Sequence, residues 1–299
     1  MTHKPTVTIA IPAFNEEKII LKLLNSITRQ RQTNHRVESV RVYSDGSTDS
    51  TVKLVRENFK EVQAVDSKQN LGKNARINQI MADNRSDILI QVDADITIKD
   101  PDTFNKLIKP MLKNKQIGLS CAYHLANDPE SFIGRLALFG FKVWDTARNN
   151  LKNRAIKYYC EGGLRAFSAS YADKFRIPPH DKTISEDDYS FYYAVKNGFQ
   201  VAVAHDAIVY LDLPDKYQDY VKQMKRLLAV PKLMRKHVEQ SYFDQYQVMT
   251  TSAKLKALFQ ELVKSPITGL LYLVLQFITI FQMIFYQPNI NKWTPIERK

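Results

Sequence analysis

The segment from Ile90 to Ile98, IQVDADITI, places two aspartates directly after an apolar run. Residues 88–92 predict a buried strand, and charge at the rim of a core must be solvated, paired or bound to a metal. Residues two apart in a strand point the same way, so Asp93 and Asp95 can face one cation, and Mg²⁺ or Mn²⁺ prefers such oxygen ligands. A strand that ends in a turn, where Asp is common, explains the same pair without a metal.

The size and composition of the chain favour a large globular protein. Its 299 residues suggest one large domain, or a domain with an appendage, and 44% hydrophobic residues are enough for a core. The net charge of +12, from 43 Lys and Arg against 31 Asp and Glu, suits a polyanion, an anionic membrane surface or phosphate-bearing ligands. The basic residues are spread along the chain rather than clustered with aromatic residues, which disfavours nucleic-acid binding.

The cysteines and the N-terminus bear on the cellular compartment. Cys121 and Cys160 have neither metal-ligand nor C-x-x-C spacing, so a reduced cytosolic compartment is the simplest interpretation, with a single disulfide as the open alternative. The six histidines show no ligand spacing, which disfavours a zinc site. The opening residues, MTHKPTVTIAIPAFNEE, contain no basic segment followed by a long apolar stretch, and we therefore expect no signal peptide.

The first half of the chain alternates short apolar strands with helical segments. This βαβαβαβ order predicts an α/β fold with a mostly parallel sheet that is flanked by helices on both faces. Ligands of such folds bind at the carboxyl ends of the strands. Three polar clusters, PAFNE (12–16), SDGSTD (44–49) and DAD (93–95), follow predicted strands. The sequence therefore predicts a binding site where these three strand ends meet.

The C-terminal part of the chain predicts membrane association. Residues 254–264 form an amphipathic pattern, and residues 267–286 carry no charge, which is about the 20 residues that a bilayer-spanning helix needs. Gln276 and Gln282 interrupt this stretch, so a spanning or re-entrant helix, an interfacial helix and a buried core helix are all compatible with it. A single span would put the basic end NKWTPIERK outside, against the positive-inside tendency.

We therefore expect three parts: a catalytic domain over residues 1–230, amphipathic interfacial helices over 231–265, and a hydrophobic helix with a basic tail over 266–299. The excess of positive charge would then find a partner in anionic lipid headgroups.

Seven short segments, in this order along the chain, resemble the family 2 glycosyltransferases of the GT-A fold. They are IPAFNEE, SDGSTDST, NLGKNARIN, VDADI, EGGLRAF, SEDDYSFYYAVKNGF and QMKRL, and they extend from about Val7 to about Leu228. The resemblance implies a Rossmann-like GT-A sheet and inverting transfer of a hexose from a nucleotide-diphosphate sugar, with a UDP-sugar favoured. The tail is similar to the membrane helix of the bacterial branch that builds surface polysaccharides or glycosylates lipids.

The resemblance implies which residues bind the donor. Asp45 matches the aspartate that binds the uracil ring, although this chain has Ser44 where the family often has a second aspartate. Pro12 and Glu16 match the nucleotide-contact region that follows the first strand. Lys73 matches a basic position near the donor, and its alternative is an exposed lysine at the start of a helix.

The same resemblance implies a metal and a diphosphate partner. Asp95 matches the direct ligand of Mg²⁺ or Mn²⁺, and Asp93 lies near the ribose or the metal. Arg226 could pair with the diphosphate and Gln223 could line the acceptor path, as in the family's Q-x-x-R-W motif. Leu227 replaces the tryptophan of that motif, which argues against a processive polymerase.

The segment SEDDYS is implied to carry the catalytic base. Inverting transfer needs a carboxylate that takes the proton of the acceptor hydroxyl. Asp187 matches the family's base, Glu186 precedes it as its acidic partner, and Asp188 is the alternative base. We expect the three adjacent acids to raise one another's pKa, as suits a base. An acidic helix N-terminus, favoured by the helix dipole, is the structural alternative.

The remaining expectations concern the acceptor and the rival functions. Gly162 and Gly163 match the loop that closes behind the acceptor, which would be a lipid-linked sugar, a polyprenyl phosphate or a growing polysaccharide at the cytoplasmic face of the inner membrane. A sugar-1-phosphate nucleotidyltransferase would need a Gly-rich basic loop after the first strand, and PAFNEEK is not one. A non-catalytic, membrane-bound binding or scaffold protein with the same fold is the other alternative.

Overall fold

The computed structural model describes residues 4–178 and 184–285, and within these ranges the chain forms eight strands and eleven α-helices. The strands are β1 (Thr6–Ala13), β2 (Arg36–Ser44), β3 (Val62–Asp66), β4 (Ile88–Val92), β5 (Ile96–Thr97), β6 (Ile117–Ala126), β7 (Leu164–Ser168) and β8 (Gln200–Leu211). The helices are α1 (Ile20–Thr28), α2 (Thr51–Asn58), α3 (Lys73–Asp83), α4 (Thr103–Lys113), α5 (Phe132–Asn150), α6 (Ala169–Lys174), α7 (Glu186–Lys196), α8 (Tyr217–Met234), α9 (Gln240–Tyr246), α10 (Thr251–Lys264) and α11 (Pro266–Phe285).

All eight strands join one sheet, in the order β3-β2-β1-β4-β7-β6-β8-β5. The four strands of the βαβαβαβ half pair in parallel, which confirms the parallel arrangement predicted for that part of the chain. The second half makes the sheet mixed, because β7 runs antiparallel to both β4 and β6, and β5 runs antiparallel to β8. Because Val92 pairs with Leu164, β7 begins at the edge of the sheet where β4 ends.

The core explains why β4 is apolar at four of its five positions. All five of its residues are buried, since helices cover both faces of a parallel sheet and leave no strand face to the solvent. On α1, the buried side chains Leu23, Leu24 and Ile27 recur at helical spacing and join the same core as β1 and β4.

The contacts within the chain group it into two compact units. The first comprises residues up to Leu125 together with Tyr159–Leu211, and it contains the sheet apart from Ala126, the last residue of β6. The second comprises Ala126–Tyr158 and the helices that follow Asp212, namely α8 to α11. This division differs from a boundary at residue 230, because α5 and α8 pack with the C-terminal helices.

The last described helix of the second unit is the long apolar α11. Its segment Pro266–Met283 has a mean hydropathy of 1.6 and is long and apolar enough to cross a membrane, a criterion of length and composition that some core helices also meet. The basic end at residues 291–299 lies outside the described residues.

Candidate active site

The polar clusters predicted at three strand ends do meet at one edge of the sheet. Ala13, the last residue of β1, pairs in parallel with Ser44, the last residue of β2. The two following loops bind each other: Asn15 Oδ1 accepts a hydrogen bond from the backbone N–H of Thr48 at 2.8 Å, and Thr51 Oγ1 accepts one from the N–H of Glu16 at 2.8 Å. The first of these clusters therefore shapes the rim of the site.

Asp45, directly after β2, organises the loop that leads into α3. Its buried carboxylate accepts hydrogen bonds from the N–H of Leu71 at 3.0 Å and of Gly72 at 2.8 Å, and Arg76 Nε lies 3.0 Å from Oδ1. An ionised carboxylate offers about four acceptor positions, so these contacts leave room for a further donor. The predicted contact between Asp45 and a uracil ring stays a prediction.

Lys73 begins α3 and is held between two carboxylates. Its Nζ lies 2.8 Å from Asp93 Oδ2 and 2.8 Å from Glu186 Oε1, and 29% of the side chain is exposed. The preceding Gly72 has φ of 93°, a backbone conformation that side-chain-bearing residues rarely adopt, and this turn points the helix start toward the end of β4. Lys73 is therefore part of the site and not an exposed lysine.

The two carboxylates belong to a closed chain of contacts, which we call the charged ring. Glu186 Oε2 accepts a hydrogen bond from Arg165 Nη2, which also donates to Gln91 Oε1 at 3.1 Å. Gln91 Nε2 in turn donates to Asp93 Oδ1 at 3.3 Å, and Lys73 closes the ring between Asp93 and Glu186. Sequence analysis missed Arg165 and Gln91, although a polar residue inside each of two apolar strand patterns was a usable signal.

The contacts of the ring favour the charged forms of Asp93, Lys73 and Arg165. Burial opposes the charge on Asp93, but Lys73 and Arg165 outweigh it and lower the pKa of that carboxyl to about 2. Burial likewise opposes the charges on Lys73 and Arg165, and the surrounding carboxylates, Glu186 among them, outweigh it and raise the pKa of both side chains. At neutral pH the site therefore presents fixed charges of both signs.

Asp187, in the first turn of α7, has a lowered pKa, so the expectation that adjacent acids raise it was wrong. Burial alone would raise the pKa of this carboxyl, but the Arg165 charge and a hydrogen bond from Ser185 Oγ lower it. The reason is geometric: Glu186 is committed to Arg165 and Lys73, so its charge is already matched. The N–H of Asp188 also donates to Asp187 Oδ1 at 2.9 Å.

The Gly162–Gly163 loop packs against Asp93. The N–H of Gly163 donates to Asp93 Oδ2 at 3.0 Å, and the N–H of Asp93 donates to the carbonyl of Gly163 at 2.7 Å. Gly163 has φ of 76°, and a Cβ there would lie 2.5 Å from His124 Nε2. Only glycine fits this close approach at position 163, and the part of the loop in acceptor binding stays a prediction.

The predicted residues of the QMKRL segment lie in the second unit, whereas the site residues described above belong to the first unit. Both Gln223 and Arg226 are on α8, where Gln223 is half-buried and Arg226 is exposed. Their neighbours Leu227 and Leu228 are 54% and 59% exposed.

The residues at the end of β4 fit a divalent cation that the donor helps to hold. Among the described residues, no group of three His, Cys, Asp or Glu side chains converges on a position for a metal. The Asp93 carboxylate contacts Lys73 and Gly163, whereas the half-buried Asp95 follows two residues later. Mg²⁺ is usually bound by one or two carboxylates together with substrate phosphates, so a site without a third side-chain ligand is compatible with this metal.

Comparison with known proteins places these features in a family. The model of "Glycosyl transferase family 2" matches residues 8–175. Protein RfbJ of Shigella flexneri is 32% identical over 115 residues, which cover 38% of this chain and 84% of that protein. The 4,4'-diaponeurosporenoate glycosyltransferase of Staphylococcus haemolyticus is 32% identical over 130 residues, and the match spans 42% of this chain but only 34% of that longer enzyme.

Solved structures share the fold at low sequence identity. A mannosyltransferase from Pyrobaculum calidifontis, in complex with GDP-mannose and Mn²⁺, is similar with a TM-score of 0.61 and 17% identity, over 96% of this chain and 82% of that one. Glucosyl-3-phosphoglycerate synthase from Mycobacterium tuberculosis, with Mn²⁺ and UDP, is similar with a TM-score of 0.53 and 20% identity, over 79% of this chain and 82% of that one.

Proposed function

This chain belongs to glycosyltransferase family 2, and we propose that it transfers a hexose, with inversion, from a UDP-sugar to a lipid-linked or polysaccharide acceptor at the cytoplasmic face of the membrane. The observation that carries the proposal is the charged ring beside Asp187, at the strand edge where α/β folds bind their ligands. Fixed charges of both signs in one place suit a reaction in which a diphosphate departs and a hydroxyl loses its proton.

The donor half of the proposal rests on the residues that follow β1, β2 and β4. Asp95 would hold Mg²⁺ or Mn²⁺ together with the donor diphosphate, and Asp45, Pro12 and Glu16 would contact the nucleotide. When bound, the cation neutralises the charge that builds on the diphosphate. Similar folds bind GDP-mannose or UDP with Mn²⁺, which supports a nucleotide-sugar donor without choosing the nucleotide.

The proton transfer is assigned to Asp187. The acceptor oxygen attacks the anomeric carbon as Asp187 takes its proton, and the bond to the diphosphate breaks on the opposite side, which inverts the configuration. The lowered pKa of Asp187 keeps this carboxylate ionised throughout the neutral range. Glu186 is already bound to Arg165 and Lys73, so we assign it a positioning role, and Asp188 is the alternative base.

The acceptor half rests on the second unit and on the relatives. Three relatives are named as a diaponeurosporenoate glycosyltransferase, a dolichyl-phosphate glucosyltransferase and a monoglucosyldiacylglycerol synthase, and each of these names contains a lipid. The second unit exposes apolar side chains on α10 and α11, as a protein that meets such acceptors in a membrane would. Gly162, Gly163 and Gln223 would line the acceptor, and Arg226 would pair with phosphate.

Donor binding and hydrolysis form the test. UDP-, GDP- and dTDP-sugars are screened against the purified protein with Mn²⁺ or Mg²⁺, and again with EDTA. We expect binding and slow hydrolysis of one UDP-sugar, and loss of turnover in EDTA. Full activity in EDTA would remove the metal from the proposal, and a folded protein that binds no nucleotide sugar would support the non-catalytic binding protein instead.

A further inference from the structure

The two glutamines of helix α11 form hydrogen bonds within their own unit. Gln276 Nε2 donates a hydrogen bond to the hydroxyl of Tyr220, and the hydroxyl of Tyr217 donates to Gln282 Oε1 at 2.7 Å. Thr279 lies on the same buried side. The two glutamines that interrupt the apolar sequence are therefore hydrogen-bonded by α8; Gln276 is half-buried, and Gln282 is exposed near the C-terminal end of the helix.

The outward side of α11 is apolar over most of its length. From residue 267 to residue 281, every exposed side chain is a large hydrocarbon or aromatic group. The exposed group consists of Ile267, Leu270, Leu271, Leu273, Val274, Phe277, Ile278, Ile280 and Phe281. The usual polarity of a surface helix is thus inverted, and an exposed apolar surface of this extent marks a docking site.

Helix α10, which packs against α11, carries a second exposed apolar stripe. Leu255, Phe259 and Val263 are 59%, 68% and 69% exposed, and their spacing of four residues puts them on one face of the helix. Lysines flank this stripe, so its surroundings are both apolar and basic.

The charge of this part of the chain selects an anionic partner. Between Lys222 and Lys264, nine Lys and Arg residues stand against three Asp and Glu residues. Exposed members of the basic set include Lys232, Arg235, Lys236, Lys254, Lys256 and Lys264. Apolar side chains beside basic ones match a bilayer with anionic headgroups, where hydrocarbon and phosphate are available together.

The contacts of α11 indicate how it meets that bilayer. Near the middle of α11, Tyr272 packs on Phe139 with ring centroids 5.2 Å apart, and ten residues later Gln282 contacts Tyr217. Helix α11 is therefore held by α5 and α8 over about 15 Å of its length.

The first turn of α8, which holds the C-terminal half of α11, is rich in charge. Exposed Asp215 and Lys216 precede it, and the buried Asp219 pairs with Lys222 at 3.0 Å. If α11 crossed the bilayer while keeping these contacts, it would carry the charged groups into hydrocarbon, where ionisable side chains are costly. If α11 lies in the plane of the interface, the charged groups remain in water.

We propose that α10 and α11 form a monotopic docking surface, in which the exposed face of α11 lies within one leaflet of an anionic membrane and its polar face stays bound to α5 and α8. This deepens the membrane location of the proposed function and rests on it. The helix that is long enough to span is thereby assigned to the membrane plane.

Vesicle flotation provides the first test. The full chain should float with vesicles of phosphatidylcholine and phosphatidylglycerol and bind at least tenfold less to phosphatidylcholine alone. Phe277→Glu and Val274→Glu should each lower binding to the anionic vesicles at least tenfold, because both side chains are already exposed and the fold is spared. Gln245→Glu adds the same charge at an exposed position of α9 and should leave binding unchanged.

Depth measurement distinguishes the orientations. A single cysteine replaces Leu270, Phe277 or Phe281 and is labelled with an environment-sensitive fluorophore, whose depth is read with lipid quenchers placed at different depths. Cys121 and Cys160 are buried, so the exposed introduced cysteine reacts with the label first. Positions 270 and 281 are about 16 Å apart along the helix. Equal, shallow depths support the docking surface, and depths that differ by most of that length overturn it in favour of a span.

A third outcome would make the surface a contact between protein chains. Failure to float, together with a concentration-dependent dimer that Phe277→Glu disrupts, would overturn the membrane assignment in favour of a second copy of the chain. Donor hydrolysis without vesicles separates this test from that of the proposed function. A failed docking surface leaves metal-dependent hydrolysis intact, whereas a failed glycosyltransferase assignment leaves vesicle binding intact.

Discussion

The two units of the chain depart from the usual distribution of side chains in opposite directions. The first unit buries charge: Arg165 is 1% exposed and Glu186 is 7% exposed. The second unit exposes hydrocarbon: Phe277 and Ile267 are 72% and 76% exposed. Buried polar groups and large exposed apolar surfaces are the informative exceptions in a folded protein, because each needs a partner that offsets its cost.

The buried charges of the first unit and the exposed apolar side chains of the second unit have different kinds of partner. In the charged ring, each buried charge finds its counterpart within the unit, so the site is assembled before any ligand arrives. On α11, the two glutamines are hydrogen-bonded within the unit, whereas the apolar face is exposed. A preorganised polar site suits electrostatic stabilisation of a reaction, whereas an uncovered apolar face suits attachment.

The largest expected effect follows the removal of the proposed base. We predict that Asp187→Asn lowers the rate of sugar transfer by about 10²- to 10⁴-fold, the usual contribution of a general base, while donor affinity changes little. Transfer kinetics and donor titration with the purified variant measure the two quantities. Asp188→Asn is the matched control and should retain most activity; the reverse result would move the base to Asp188.

The second effect concerns the stability that the buried ring confers on the first unit. Arg165→Met leaves Glu186 buried beside a single cation, and breaking a buried ion pair on one side costs about 3–5 kcal/mol of unfolding free energy. Urea denaturation measures this loss. Arg226→Met, at an exposed position, should change the unfolding free energy by less than about 0.5 kcal/mol.

A double variant sharpens this prediction. If Arg165 and Glu186 act as a pair, Arg165→Met combined with Glu186→Gln should be less destabilised than the sum of the two single variants. Additive losses would mean that the arginine contributes through its packing rather than through the charge of Glu186.

A smaller effect separates steric contact from backbone strain. Gly163 and Gly198 have nearly equal φ of 76° and 75°, but a Cβ at Gly163 would lie 2.5 Å from His124 Nε2, whereas one at Gly198 would meet nothing within 4 Å. Gly198→Ala should cost about 1–2 kcal/mol for the left-handed backbone, and Gly163→Ala about 2–4 kcal/mol, because overpacking is added. Equal losses in thermal or urea unfolding would show that the contact with His124 relaxes freely.

The smallest predicted effect is the acid dependence of the first unit. The pKa of Asp93 is lowered from 3.8 to about 2 in the folded chain, so its carboxylate stabilises the fold above the unfolded pKa, and this stabilisation is lost as pH falls toward 2. The contribution is roughly 2 kcal/mol. In Lys73→Gln the cation that lowers the pKa is absent, so the unfolding free energy should fall less steeply between about pH 5 and pH 2.

The exposed Lys113→Gln serves as the control for this pH series, since it removes the same charge from a helix end away from the ring. Identical pH profiles for Lys73→Gln and Lys113→Gln would contradict the assignment of the Asp93 pKa to Lys73.

The parts of this protein that follow from sequence are those that local patterns specify. The alternation of strands and helices predicts the parallel half of the sheet, and the apolar run of residues 88–92 predicts the buried β4. The polar clusters at the ends of β1, β2 and β4 must share an edge, because parallel strands end on the same side of a sheet. The family motifs in that order then indicate the enzyme class.

Contacts between residues that are far apart in the sequence determined the charged ring. Gln91 and Arg165 are 74 residues apart, and Lys73 and Glu186 are farther apart still, so no local pattern shows that they close one ring. The same ring reverses the pKa shift expected for Asp187. The effect of a neighbouring charge on a pKa depends on where that charge points and what it is paired with, and a local sequence pattern specifies neither.

Helix α11 shows the same limit of prediction from sequence. Its composition allowed a span, an interfacial helix or a core helix, because hydropathy counts side chains without stating which way they point. Tyr217 and Tyr220 lie more than 50 residues before the glutamines that they bind, and these contacts determine that the apolar face of α11 is the one left uncovered.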